Sequence, residues 1–246
     1  MVCFAYFITY VMFYFKQFSV EDSSSPMKVG TDAVLLGAWT PIKENTSVLD
    51  IGSGCGIISL MLAQRIPNAN IQAIDIDNGA YTNAKENFSN SIWNNRLTVH
   101  KSSIQDFCRN TNNKFDIIVS NPPFFEESLK SNKTKRNIAR HTDTLPFNTL
   151  IQCVDNLITN DGIFACILPY NEGNKFIELS KEYKFLCHNK MYIANKPSQA
   201  IKRILFCLSK KEATTTVSPT LFIRNEDNSY SNDYLQLTKD FYTFIQ

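Results

Sequence analysis

Apolar and polar positions along this chain alternate between two periods. "SVLDIG" (47–52) is a short apolar run closed by glycine, the pattern of a buried strand. "GIISLMLAQRI" (56–66) has apolar residues three and four apart and predicts a helix, and "NIQAIDID" (70–77) returns as a strand ending in carboxylates. Strand, glycine turn, helix and strand make a βαβ unit, which implies a parallel sheet with right-handed crossovers. Further on, "NGAYTNAKENFSNS" (78–91), "LPFNTLIQCVDNLI" (145–158) and "GNKFIELSKEY" (173–183) predict helices, while "LTVHKS", "FDIIVSN" and "GIFACILP" predict strands. "KFLCHNKMYIAN" (184–195) and "IKRILFCLSKK" (201–211) read as the last two strands, antiparallel partners at the sheet edge around the polar turn "NKPSQ". The expected fold is therefore α/β: a seven-stranded, mostly parallel sheet with an antiparallel edge strand and helices on both faces.

Three stretches follow from this pattern. Residues 45–246 are expected to form the main domain with its C-terminal tail, and residues 15–44 an N-terminal segment packing on its cofactor site. In that segment "TDAVLLGAW" reads as an amphipathic helix with Thr31 or Asp32 as N-cap. Residues 1–14 are an apolar extension of expected low order. The run "MVCFAYFITYVMFYF" is shorter than the roughly 20 residues of a membrane-spanning helix. It also lacks a basic leader and a small-residue cleavage site, so a membrane anchor is the lesser reading.

Composition narrows the classes. The chain has 246 residues, 43% apolar and 20% charged, with a net charge of only +2, so any surface for a polyanion must be local. Its seven cysteines are dispersed without a C-x-x-C pair, mostly inside apolar runs. They read as buried free thiols in a reducing, cytoplasmic compartment, and no metal site is expected.

The candidate chemistry begins at "DIGSGCGII", which supplies Asp50, Gly52, Ser53, Gly54 and Gly56. Glycines after a first strand let a ligand approach the backbone closely. The third glycine falls at Gly56, where a dinucleotide fingerprint would want it at position 57, and Asp50 suits a cationic amino-acid moiety better than a pyrophosphate. Asp75, ending the second strand, suits two ribose hydroxyls. Together they favour S-adenosyl-L-methionine over a nicotinamide cofactor or a plain structural turn. Asp77 reads as a helix N-cap.

Asn121-Pro122-Pro123-Phe124 follows a strand of the same sheet, so it belongs to the same rim. An exocyclic amine on a nucleobase is a poor nucleophile because its lone pair is delocalised. The Asn121 side-chain carbonyl and the Pro122 main-chain carbonyl offer two acceptors for its two N–H groups, the prolines hold them stiffly, and Phe124 offers a face for stacking. The bland alternative is a proline stop with the phenylalanines in the core.

These residues resemble the class I, Rossmann-like S-adenosylmethionine-dependent methyltransferases of the N-P-P-[FY] type. "FKQFSVEDSSSPMKVGTDAVLLGAWT" and "LTKDFY" are further similar to the bacterial tRNA-Val adenine-N6 methyltransferases, so the resemblance spans about residues 15–242. It implies methyl transfer to N6 of adenosine 37, 3′ of the anticodon; a monomer without a stable protein partner is expected. It also places Lys28, Gly30, Thr31 and Asp32 near the cofactor, with Leu35, Leu36 and Trp39 packing that segment on the domain, and it makes Met12 a plausible start. Where such enzymes commonly carry an acidic residue toward the adenine amine, this chain has Ser103. "SLKSNKTKRNIARHT" carries Lys130, Lys133, Lys135, Arg136 and Arg140 without an acid, a candidate phosphate-binding loop beside an extruded base. Lys196, Lys202, Arg203, Lys210 and Lys211 are candidates to extend it. The tetrad alone equally fits other planar amines, in protein glutamine, ribosomal guanine N2 or DNA adenine.

Overall fold

The computed structural model describes residues 12–44, 46–122, 145–212 and 214–245. The described chain opens with two short antiparallel strands, β1 (Met12–Tyr14) and β2 (Ser19–Glu21), and the helix α1 (Thr31–Trp39). The parallel half follows as β3 (Ser47–Ile51), α2 (Ile57–Arg65), β4 (Asn70–Asp75), α3 (Asn78–Ser89), β5 (Leu97–Lys101), α4 (Ile104–Asn110) and β6 (Phe115–Ser120). Then come α5 (Phe147–Leu157), β7 (Ile158–Pro169), α6 (Tyr170–Ser180), β8 (Leu186–Ala194) and β9 (Arg203–Ser209). Two-residue strands β10 (Thr216–Val217) and β11 (Leu221–Phe222) and the helix α7 (Asn232–Thr238) close the described chain.

Among the described residues the main sheet has nine strands, in the order β10-β8-β9-β7-β6-β3-β4-β5 with β11 also on β8. β3, β4, β5, β6 and β7 pair parallel, whereas β9 is antiparallel to both β7 and β8. The strand order thus reverses between β3 and β6. The antiparallel strand is interior rather than at the edge, and composition explains why. β9 ("RILFCLS") is buried along almost its whole length, as a strand covered on both faces must be. β8 ("LCHNKMYIA") mixes polar and apolar residues and is mostly half-exposed. The hairpin 195–202 therefore folds the more apolar strand inward, and β10 and β11 cover the outer flank of β8.

Successive side chains of the strands point to opposite faces and feed two cores. On one face Val48, Ile71, Ala73, Ile117 and Val119 pack with Leu35, Leu36, Leu60 and Phe88 of α1, α2 and α3. On the other, Leu49, Ile51, Ile118, Phe164 and Phe206 pack with Phe107, Leu150, Val154 and Phe176 of α4, α5 and α6. Trp39 is partly buried against the first core. Every described cysteine (Cys55, Cys108, Cys153, Cys166, Cys187, Cys207) is a free thiol. Burial pushes the Cys55 thiol up to about 12, so it stays protonated and behaves as a small apolar side chain. Among the described residues no helix is long and apolar enough to cross a membrane.

The N-terminal segment is fastened at two places. Phe15 bridges Tyr242, Lys16 N–H donates to the Phe241 carbonyl at 2.8 Å, and the Phe15 and Phe18 rings stack at 4.7 Å. The second fastening is polar and buried. Asn87 of α3 accepts the Glu21 N–H at 2.9 Å and donates to the carbonyls of Glu21 and Cys55, both at 2.8 Å, while Asn83 donates to the Glu21 carboxylate. Removing Asn87 strands three buried backbone groups, each costly when unpaired. Asn87→Ala is expected to lower stability by roughly 2–4 kcal/mol in urea denaturation with an unchanged m-value. A midpoint equal to that of the wild type would show that water replaces the amide.

Candidate active site

The sequence motifs meet at the carboxyl rim of the sheet, where β3 and β6 part. Leaving β3, Gly52, Gly54 and Gly56 all take positive φ, at 70°, 55° and 84°. Two of these positions need glycine for further reasons. A side chain on Gly56 would strike the Phe88 ring at 2.5 Å, whereas nothing lies within 4 Å of where one would stand on Gly52. The turn is thus tight at its base and open above Gly52, where a ligand has room to approach the main chain. Gly52 and Ser53 donate their N–H groups to the Ile74 carbonyl at 2.9 and 3.1 Å, and Gly54 N–H donates to Asp75 Oδ2 at 2.8 Å. The turn is therefore pinned to the end of β4.

Three polar atoms at this rim are buried without a hydrogen-bond partner among the described residues: Asp50 Oδ1, Ser53 Oγ and Asn121 Oδ1. Asp50 is fully buried, and its other oxygen accepts from the Ser59 hydroxyl at 2.7 Å. Burial lifts its carboxyl from the ordinary value to about 7, with Asp75 adding a smaller upward push. A half-satisfied, desolvated carboxyl gains both a charge partner and a donor from an ammonium group. Asp75 is raised as well, chiefly by burial. Its Oδ1 accepts the Asp77 N–H at 2.9 Å and its Oδ2 that of Gly54, so each oxygen keeps lone-pair capacity for a hydroxyl donor. The residues present therefore fit an amino-acid ammonium at Asp50 and a ribose diol at Asp75.

Asn121 is half-buried directly after β6. Ser120 faces Ile51 across the pair and donates its hydroxyl to the Ile51 carbonyl at 2.9 Å, which sets Asn121 beside Gly52. Pro122, next in the chain, is buried. Pro123, Phe124 and the basic residues Lys130, Lys133, Lys135, Arg136 and Arg140 lie outside the described residues.

The other expected contacts divide. Residues 22–29 form a loop closed on itself: Asp22 accepts the Val29 N–H at 2.7 Å, and Lys28 Nζ donates to the carbonyls of Asp22 and Ser23 at 2.6 and 3.0 Å. Lys28 thus fastens this loop. The loop lies on the glycine turn and on α3, with Ser25 Oγ 3.8 Å from where a side chain on Gly54 would begin. Gly30 is the N-cap of α1, and no side chain caps that helix, so neither Thr31 nor Asp32 plays the capping role expected of them. Asp32 instead accepts from Arg203 Nε of β9 at 2.8 Å, and Thr31 is exposed. Ser103 sits past the end of β5, but its hydroxyl is committed locally. It caps α4 by accepting the Asp106 N–H at 3.1 Å and donates to Asp106 Oδ2 at 2.6 Å. Asp77 caps α3 through the Ala80 N–H at 2.8 Å, as expected.

Sequence reasoning missed Glu21, Asn83, Asn87 and Gly79. The two asparagines are four apart on one helix face, which is legible as a polar stripe but not as a buried one. Gly79 admits the Ser24 carbonyl, which would lie 2.0 Å from a side chain there. Among the described residues no group of three His, Cys, Asp or Glu is placed to hold a metal ion.

Comparison with known proteins agrees with this geometry. Residues 25–154 match the family described as methyltransferase small domain. A tRNA1(Val) (adenine(37)-N6)-methyltransferase from Flavobacterium psychrophilum is 42% identical over 94% of this chain and 99% of its own length. One of the same name from Pectobacterium carotovorum is 39% identical over 95% of this chain and 94% of its own. Among solved structures, a predicted O-methyltransferase from Agrobacterium tumefaciens superposes with a TM-score of 0.67 at 15% identity, covering 85% of this chain and 96% of that one. A precorrin-6y C5,15-methyltransferase from Geobacter metallireducens gives 0.53 at 13% identity over 76% and 92%. At such identities these two speak for the fold alone.

The Asp50 carboxyl makes a pH-dependent prediction for the ligand-free protein. Because its folded pKa of about 7 lies above its unfolded value, its contribution to stability is full in acid and is lost as pH rises toward 7. Asp50→Asn is expected to remove that loss, so the variant gains on the wild type by up to about 4 kcal/mol above pH 7 and not at pH 4. Parallel pH-stability curves for the two proteins would mean that the carboxyl is solvated.

Proposed function

The chain belongs to the tRNA1(Val) (adenine(37)-N6)-methyltransferase family, and from that premise we propose that it transfers a methyl group from S-adenosyl-L-methionine to N6 of adenosine 37, 3′ of the anticodon of valine tRNA. When bound, S-adenosyl-L-methionine supplies an electrophilic methyl on a sulfonium. Asp50 holds the ammonium of its amino-acid moiety, Asp75 its ribose hydroxyls, and the open side of the glycine turn admits it against the main chain.

The observation that carries the reading is Asn121 Oδ1, a buried acceptor with no partner among the described residues, set by β-sheet register beside the cofactor turn. It accepts one N–H of the adenine amine and the Pro122 carbonyl accepts the other. Two acceptors in fixed positions favour a pyramidal nitrogen whose lone pair is free to react. Asn121 is neutral and carries no general base, so positioning and electrostatics supply the rate. Phe124 stacks on the base, and Lys130, Lys133, Lys135, Arg136 and Arg140, which follow the tetrad in sequence, hold phosphates of the tRNA. Buried thiols at Cys55, Cys166 and Cys207 support a reducing, cytoplasmic setting.

Incubation with labelled S-adenosyl-L-methionine and tRNA1(Val), followed by nucleoside analysis, should yield N6-methyladenosine. Label recovered in protein, or none in the RNA, would sink the reading. Asn121→Ala is expected to lower kcat by about 100-fold or more while cofactor affinity stays within a few-fold. A collapse of cofactor affinity would instead make Asn121 a cofactor residue. Charge reversal at Lys133, Lys135 and Arg136 should weaken tRNA binding and flatten its salt dependence by about one unit of slope per contact. An unchanged slope would return them to a solvated loop.

A further inference from the structure

The basic residues of the last two strands look alike in sequence, yet the topology separates them. β9 begins at the carboxyl rim, with Arg203 opposite Pro169 at the end of β7, and it ends at the far side of the sheet. The candidates Lys210 and Lys211 follow that far end, where they pair with Asp155 and Asp161. Lys196, Lys202 and Arg203 lie instead on or beside the hairpin 195–202, on the same rim as Asn121. Arg224, which follows β11 and donates its N–H to the Asn195 carbonyl, joins them there.

The rim also rises on this side. Ser120 of β6 is level with Cys166 of β7, and β7 continues to Pro169, so it overtops the start of the Asn121 turn by two residues, roughly 7 Å at about 3.3 Å per residue. Tyr170 stands at the top of that step, 37% exposed. Its N–H donates to the Lys202 carbonyl at 3.1 Å, and its ring leans on Tyr192 at 5.7 Å. Tyr170 follows the strand next to β6 with its ring toward β8, and the hairpin that braces it carries an exposed cation, Lys202; an aromatic and a cation so paired can stack a nucleobase and hold its phosphate.

Resting on the function proposed above, we infer that Tyr170 and the hairpin 195–202 form a second RNA contact, which takes a nucleotide flanking the target adenosine. Tyr170 stacks on its base, and Lys202 meets its phosphate. The surface is mixed rather than uniformly basic. Glu172, Glu226 and Asp227 lie in the same stretches, but Glu226 accepts from the Ser198 N–H and hydroxyl, and Asp227 from those of Ser229. Among the described residues Lys202 is exposed and in no ion pair, whereas Lys196 is half-buried, donates to the Glu226 carbonyl at 3.2 Å and faces the Asp227 charge. Lys202 therefore acts as a single phosphate contact and not as part of a broad attracting field.

The test measures steady-state methylation of tRNA1(Val) by the full chain, varying each substrate in turn. Tyr170→Ala is expected to raise KM for tRNA about tenfold and leave KM for S-adenosyl-L-methionine unchanged, with Tyr170→Phe close to wild type. Lys202→Glu should raise KM for tRNA and lower the salt slope by about one. Lys211→Glu, at the opposite end of β9, should change neither. Turnover by the wild type with unaltered KM for tRNA in the Tyr170 and Lys202 variants would overturn this contact and leave the methyltransferase reading intact. An equal rise in both KM values, or an effect of Lys211→Glu as large as that of Lys202→Glu, would also overturn it. A wild type that leaves tRNA unmethylated would remove both.

Discussion

β3 and β6 run parallel at the middle of the sheet, with Ile51 opposite Ser120 and the Ser120 hydroxyl on the Ile51 carbonyl. These strands are consecutive in space and far apart in sequence, and the chain leaves the sheet from each in a different direction. One exit becomes the glycine turn, the other the Asn-Pro-Pro turn. A slip of one residue in this pairing would turn Asn121 to the other face of the sheet and part it from Asp50. Leu49, Ile51 and Ile118 on one face and Val48, Ile117 and Val119 on the other are all buried, so the two cores jointly forbid that slip.

The rim carries a cost that the cores offset. Asp50 Oδ1, Ser53 Oγ and Asn121 Oδ1 are withdrawn from water without replacement partners among the described residues. Each such atom costs on the order of 1–3 kcal/mol. Fully buried phenylalanines on the opposite face (Phe115, Phe164, Phe176, Phe206) supply apolar burial that tolerates this. Preorganisation of this kind places unmet polarity where a ligand will meet it, so the free protein is less stable than its packing would allow.

The parallel half was legible because β3, α2 and β4 switch cleanly from one hydrophobic period to the other, and because glycines and prolines are conspicuous beside strands. The order of β8 and β9 was not, although its cause lies in composition: "RILFCLS" has no polar face to turn outward and "LCHNKMYIA" does. β10 and β11 are two residues each and carry no periodicity to detect. Ser103 is more instructive. "SIQD" is a capping-box pattern, so its commitment to α4 was readable, but α4 is only seven residues long and escaped notice. The burial of Glu21, Asn83 and Asn87 could not be read. A charged residue and two asparagines far apart in sequence become a buried junction only when β2 lies on α3.

The fastening of residues 15–16 to residues 241–242 has a consequence for synthesis. The first stretch is made before the sheet and its partner after it, so this closure has a sequence separation close to the length of the described chain. Contacts of that kind form slowly, because loop-closure entropy must be overcome before any packing rewards it. On the ribosome the sheet from β3 to β7 can assemble while residues 12–18 still wait. The loop 22–29 lies between this late clasp and the glycine turn, so cofactor affinity should mature after the sheet itself has formed.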